Sequence, residues 1–143
     1  MFPDATLKWQ SRQSVIDGLK NPTIVDRGFW DGDIHFVVTG TNNEPRLYGI
    51  SIEPICYAAF DETFYSIAGH GDISEVDFSV YLREAVTSEL KRCWSDAYSF
   101  DGHDLRHWSL VGLDTCYEVL ALEDPRIRQF KSQAEADAWC TPA

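Results

Sequence analysis

The sequence lacks the features that would place it in a membrane or outside the cell. No apolar run approaches the roughly 18–20 residues that a membrane-spanning helix needs. The N-terminal segment MFPDATLKWQ has no basic stretch followed by an apolar one, so we expect no secretory signal and no membrane partner. No repeat or low-complexity linker divides the 143 residues. The sequence therefore predicts a cytoplasmic protein with a single domain over residues 1–143.

Motifs for catalysis and cofactor binding are also missing. The four cysteines form no CxxC pair and have apolar neighbours, which predicts buried reduced thiols at Cys56, Cys93, Cys116 and Cys140. Neither a GxSxG nucleophile motif nor a phosphate loop ending in Gly-Lys-Ser/Thr occurs. We therefore expect no cofactor, and the sequence favours a protein that is not an enzyme.

Basic residues are scarce, and the acidic excess is concentrated in the middle of the chain. The chain has 23 acidic and 12 basic residues, and its formal net charge is −11. Residues 31–90 hold eleven acidic and two basic residues, a net charge of −9. Such a field repels nucleic acid and anionic lipid and attracts basic partners. The charge therefore predicts a basic protein partner and no direct binding to nucleic acid.

The hydrophobic pattern predicts an α+β domain. Apolar residues repeat every four positions from Phe78 to Trp94, which predicts a central amphipathic helix over residues 75–94. An antiparallel sheet of about four to six strands would pack on this helix. Short helices are expected at both ends, over residues 11–20 and from a capping box at Ser132 and Glu135 to near Trp139.

Alternating apolar residues predict the strands of that sheet. Residues 34–39 and 46–53 alternate on either side of a turn-rich segment, which predicts an antiparallel hairpin. A first strand is expected over residues 23–30, and residues 107–122 are β-like with a bend between Gly112 and Asp114. Pro54 could open a short helix in the segment that follows the hairpin.

Two histidine clusters and one aspartate cluster are candidates for chemistry. His103 and His107 would face one metal ion if they lay on a helix, with Asp101 or Asp104 as a third ligand. The β-like run after His107 favours a polar loop instead. His70, between two glycines, could act as a general base, although a glycine-rich turn is the simpler interpretation. The segment from Asp31 to His35 resembles part of a calcium loop but lacks the closing Glu, which favours a tight turn.

The acidic middle of the chain is the remaining candidate for a functional site. Between residues 61 and 89 its carboxylates are opposed only by Arg83. A solvated acidic face is the ordinary interpretation. The functional interpretation is a docking surface in which carboxylates surround aromatic anchors. The residues predicted for it are Asp61, Glu62, Tyr65, Asp72, Glu75, Asp77, Tyr81, Glu84 and Glu89.

The leading hypothesis is a small cytoplasmic binding protein that inhibits a basic protein partner. An immunity protein against a bacterial toxin domain, such as a nuclease, is its most concrete form. The alternatives are a small hydrolase-like or metal-dependent enzyme that uses the His and Asp residues, and a ligand-binding accessory domain with an aromatic pocket.

Overall fold

The computed structural model describes residues 8–11, 16, 18–61, 82–87, 89–97, 104–112 and 115–139. These residues form nine strands and two short helices. Neither helix in this described part is long and apolar enough to cross a membrane. The strands are β1 (Lys8–Ser11), β2 (Lys20–Trp30), β3 (Asp33–Asn42), β4 (Glu44–Ile52), β5 (Pro54–Asp61), β6 (Leu82–Thr87), β7 (Arg106–Val111), β8 (Thr115–Ala121) and β9 (Arg126–Phe130), and the helices are α1 (Glu89–Ala97) and α2 (Gln133–Trp139).

The strands form two antiparallel sheets. Sheet A has five strands in the order β1-β6-β7-β8-β5, and sheet B has four in the order β2-β3-β4-β9. The chain passes from sheet B to sheet A at Glu53 and returns through residues 122–125. The two sheets pack face to face, because one continuous hydrophobic core is built from the strands of both.

The core lies between the sheets and follows from strand periodicity. Successive side chains of a strand point to opposite faces, so every second residue reaches the core. The rings of Phe36 in sheet B and Tyr117 in sheet A meet across it, with centroids 4.8 Å apart. Burial of each large apolar side chain contributes roughly 1.5–3 kcal/mol. The core residues are Ile16, Leu19, Ile24, Ile34, Phe36, Val38, Tyr48, Ile50, Ile52, Leu82, Trp108, Leu110, Tyr117, Val119 and Ala121.

Short turns set the register of sheet B, as the sequence predicted. Trp30 pairs with Asp33 across a two-residue turn, and both turn residues have positive φ, 53° at Asp31 and 81° at Gly32. Such a turn matches the right-handed twist of the strands that it joins. The predicted tight turn at this site is confirmed. The hairpin of β3 and β4 is confirmed too, with Asn43 at φ 66° between the strands.

The prediction of an α+β domain with a central amphipathic helix is wrong, because the protein is mostly β. Residues 82–87 form β6, which pairs with β1 on one side and β7 on the other. The helix that follows, α1, is only nine residues long. A spacing of four is also a multiple of the strand period of two, so apolar residues four apart share a face in either structure. The apolar repeat therefore did not distinguish a helix from a strand.

Four other predicted segments can be compared with the structure. The expected helix beginning at Pro54 is wrong, because residues 54–61 form β5, with proline at the strand's first position. The hairpin of residues 107–122 is confirmed as β7 and β8. The C-terminal helix is confirmed, and the N–H of Glu135 donates to Ser132 Oγ at 3.2 Å. The expected helix over residues 11–20 lies largely outside the described residues, although Ser11 ends β1 and Lys20 begins β2.

Candidate partner-binding surface

The predicted acidic docking surface lies largely outside the residues that the structure describes. Asp61 is the last residue of β5 and Glu89 is the first of α1, so their backbone positions are known. Glu84, in β6, is the one predicted carboxylate whose side chain is described. The residues outside the described ranges are Glu62, Tyr65, Asp72, Glu75, Asp77 and Tyr81, together with His70, Asp101 and His103 of the other candidates.

Glu84 is engaged inside the protein and is not a free surface charge. Arg106 donates to both of its carboxylate oxygens, from Nε at 2.6 Å and from Nη2 at 2.9 Å. Such a two-point pair is stronger and more directional than a single contact. The pKa of Arg106 is raised, and the hydrogen bonds to Glu84 are the main cause. Arg106 also donates a hydrogen bond to the carboxylate of Asp124. The pair ties β6 to β7, and 22 positions separate its members in sequence.

Four other described arginines are also paired within the chain. With Arg106, five arginines each form an ion pair with a carboxylate of this chain, while Arg83 is buried in sheet A and Arg27 is exposed. Exposed pairs add little stability, but each of them compensates one arginine locally. The pairs are Arg46–Glu44 at 3.0 Å, Arg92–Asp96 at 3.3 Å, Arg106–Glu84, Arg126–Asp33 and Arg128–Glu135 at 3.4 Å.

Two exposed aromatic rings lie at the open side of the sandwich, between β2 and β5. Phe29 is 60% exposed and Tyr57 is 45% exposed. Both point toward the inner side of their sheets, because Phe29 pairs with the core residue Ile34 and Tyr57 with the core residue Val119. Among the described strands, β2 pairs only with β3 and β5 only with β8, so each lies at the edge of its sheet as far as the structure describes it.

Contacts between the sheets place these two rings on the same side of the molecule. Ile24 of β2 lies against Gly112, at the turn that leads into β8. Further along, the Asp26 backbone bonds the hydroxyl of Tyr117. Beyond this point β2 continues to Phe29, and β8 continues to Val119, which pairs with Tyr57. We call the surface formed by Asp26, Phe29 and Tyr57 the β2/β5 mouth.

Asp26 supplies the negative charge of the β2/β5 mouth. A β-bulge lies between Asp26 and Gly28, and the Gly28 N–H donates to Asp26 Oδ1 at 2.8 Å. Burial is the main cause that raises the pKa of Tyr117, and the negative charge of Asp26 raises it further. The sequence pattern did not single out these residues. The apolar pair Phe29-Trp30 directly before a tight turn was the one sequence feature that could have indicated an exposed ring there. Tyr57 was missed because a helix was expected from Pro54, whereas the residue lies on an edge strand of the described sheet.

The metal hypothesis gains no support from the described residues. His107 is buried, and its Nε2 lies 2.6 Å from Glu118 Oε2, while Ser109 Oγ donates to Oε1 of the same carboxylate at 3.2 Å. Asp104 is exposed and does not belong to this buried pair. No group of three metal-binding side chains occurs within the described ranges. The buried carboxylate of Glu118 therefore joins the side chains of β7 and β8 in the core of sheet A.

The cysteines differ from their predicted environment. Cys116 is buried as expected, whereas Cys56 is half-buried and Cys93 is exposed on α1. Burial raises the pKa of the Cys56 thiol, which lowers its reactivity. The three described thiols form no disulfide, and Cys140 lies outside the described residues.

An aromatic cluster on the outer face of sheet B holds α2 against the sheet. The rings of Trp30 and His35 stack with centroids 3.3 Å apart, and Trp139 of α2 meets the His35 ring edge-on at 5.1 Å. Burial lowers the pKa of His35. A hydrogen bond with the Gly28 backbone and the negative charge of Asp31 act to raise this pKa, but burial has the larger effect. His35 therefore packs as a neutral aromatic ring, which is a structural role.

A groove of about 700 Å³ runs beside this cluster, between the end of the β3–β4 hairpin, β9 and the start of α2. Leu47 and Phe130 contribute apolar surface to it, and Arg46, Gln129 and Lys131 contribute polar groups. The groove is open to solvent. A ligand-binding accessory domain would be expected to have an enclosed aromatic pocket instead.

The comparisons with known proteins identify no relative. The chain matches no protein-family model, no curated protein and no solved structure. The proposals for its function therefore rest on its own residues.

Proposed function

We propose that this protein binds and inhibits a basic protein partner in the cytoplasm, and that it acts most concretely as an immunity protein against a bacterial toxin domain. The observation that supports this proposal best is the strong excess of acidic residues, which gives a formal net charge of −11. Five described arginines are engaged in ion pairs within the fold, so they add no unpaired positive charge against a basic partner.

The mechanism follows from this charge and from the exposed rings. The negative field attracts a basic partner and accelerates its association, which makes the association rate sensitive to salt. Exposed aromatic side chains such as Phe29 and Tyr57 are the residue types that anchor protein interfaces after the encounter. A bound inhibitor of this kind needs no catalytic group of its own, since it acts by covering the partner's surface.

A pull-down with the full chain tests the proposal. The immobilised protein is exposed to a lysate of its source organism, and bound proteins are eluted with a salt gradient and identified by mass spectrometry. We expect one principal partner with an isoelectric point above about 9. The recombinant partner should bind in a 1:1 complex, and its toxicity to bacterial cells should be relieved when the two genes are co-expressed. A neutral or acidic partner, or a basic one whose activity the complex leaves intact, would overturn the proposal.

A further inference from the structure

We infer that the β2/β5 mouth receives an arginine side chain of the basic partner, an inference that rests on the function proposed above. The mouth combines two exposed aromatic rings, Phe29 and Tyr57, with the exposed carboxylate of Asp26. A guanidinium group can stack on an aromatic face and pair with a carboxylate at the same time. The three side chains therefore match the chemistry of arginine better than that of a neutral or acidic residue.

The carboxylate of Asp26 is available for an external cation. Its Oδ1 accepts the Gly28 N–H, which fixes the side chain within the bulge. Among the described residues, no arginine or lysine forms an ion pair with Asp26, in contrast to Glu44 and Glu84. A carboxylate held by one backbone bond is oriented and still has accepting capacity for a second donor.

Phe29 differs from the other exposed apolar residue of β2 in the face of the sheet that it occupies. Phe29 lies on the inner face of β2, an edge strand of sheet B. Asp26 lies on the same face of β2, and Tyr57 lies on the inner face of β5 in sheet A. Val25, on the same strand, is also exposed but pairs with Val37 on the outer face. The two residues therefore form a matched pair for mutation, because both are exposed apolar side chains of one strand and only Phe29 belongs to the mouth.

The open strand edges suit the approach of an extended segment around the arginine. Within the described part of the chain, the outer edges of β2 and β5 have no neighbouring strand. Their backbone donors and acceptors on that side can bond a peptide, as edge strands commonly do in recognition. Flanking residues of the partner would gain affinity there, while the mouth would provide selectivity for arginine.

A peptide titration tests the site without needing the partner. The probe is a short peptide whose only charged group is one central arginine, and its control carries citrulline at that position, which has nearly the same shape and no charge. Binding to the full chain is followed by amide chemical shifts in nuclear magnetic resonance spectra. We expect the shifts to centre on Asp26, Phe29 and Tyr57, and the citrulline peptide to bind at least about fivefold more weakly.

Two substitutions, each with a matched control, sharpen the test. Asp26→Asn retains the acceptor for the Gly28 N–H but removes the charge, and should weaken the arginine peptide at least about fivefold. Asp96→Asn, which removes an exposed carboxylate on α1, should leave the affinity unchanged. Phe29→Ala should weaken binding by about three- to tenfold, whereas Val25→Ala should not change it.

The titration of Tyr117 gives an independent readout. Since the charge of Asp26 raises the pKa of Tyr117, a bound guanidinium that compensates this charge should lower that pKa, as should Asp26→Asn. Equal binding of the two peptides, or shifts centred away from the mouth, would overturn the inference. If the basic partner binds wild type and Asp26→Asn equally well, the arginine site is wrong and the proposed function stands. If no basic partner binds at all, the proposed function fails, and the peptide titration still decides the site.

Discussion

Replacing Gly49 with alanine tests how tightly α2 packs on sheet B. A Cβ atom at this position would lie 2.8 Å from two ring carbons of Phe130 and 3.0 Å from Cη2 of Trp139. Carbon atoms in proteins prefer a separation of roughly 3.5–4.0 Å, so either both rings or the strand must move. Phe130 is buried, and the half-buried Trp139 packs against the rings of Phe130 and His35, so movement of either ring would disturb the packing of α2.

The expected cost comes from two opposing contributions. Overpacking of a well-packed site destabilises a protein by about 1–3 kcal/mol. Replacing a glycine with alanine also restricts the unfolded chain and recovers about 0.4–1 kcal/mol. We therefore expect Gly49→Ala to lower the free energy of unfolding by about 1–2 kcal/mol and to lower Tm by about 3–8 °C.

Urea unfolding followed by tryptophan fluorescence measures this cost. The substitution Phe130→Ala removes the nearest ring, so Gly49→Ala should cost less in that background than in the wild type. Gly32→Ala is a useful contrast, since nothing lies within 4 Å of its Cβ position and its cost would come from φ of +81° alone. Gly49→Ala with wild-type stability, or with the same cost in both backgrounds, would refute the packing described for α2.

Three further predictions concern stability. Since burial lowers the pKa of His35, the folded protein should lose stability as pH falls below about 6.5, where the unfolded histidine takes up a proton. The substitution His35→Phe should reduce this loss, and His107 is present in both proteins. Equal dependence of urea unfolding on pH in the two proteins would contradict this prediction. Glu84→Gln should lower the free energy of unfolding by about 1–3 kcal/mol because it breaks a partly buried two-point pair with Arg106. Glu44→Gln, at an exposed pair, should lower it by under about 1 kcal/mol. Equal losses in chemical denaturation would contradict this prediction. Ser132→Ala should cost about 1 kcal/mol through loss of the cap of α2, and an unchanged midpoint of thermal unfolding would argue against that role.

Local signals in the sequence predicted the hairpins and the C-terminal helix. The turn at Asp31 and Gly32 and the capping box at Ser132 depend on residues close together in the chain, so their chemistry can be read directly. In the segment around β6, local signals could not determine the secondary structure. Apolar residues four apart suit both a helix and a strand, and the pairing of β6 with β1 and β7 decided between them.

The β2/β5 mouth could not be predicted for a related reason. Asp26 and Phe29 belong to sheet B and Tyr57 to sheet A, so they lie on the same side of the molecule only because the two sheets pack face to face. The charge count likewise predicted an acidic protein, but it could not show that Glu84 is paired with Arg106, 22 residues away. Local composition therefore predicted the sign of the net charge, and long-range pairing determined which of the described carboxylates are engaged within the fold.

The measurement that tests the proposed function most directly is the affinity of the full chain for its purified basic partner as a function of salt. Titration calorimetry at about 50 mM and about 500 mM salt compares weak with strong screening of exposed charges. We predict a 1:1 complex whose dissociation constant rises at least about tenfold at the higher salt concentration, mainly through slower association. An affinity that does not change with salt, or the absence of any complex with a basic protein, would contradict the proposal that the acidic surface of this protein recognises its partner.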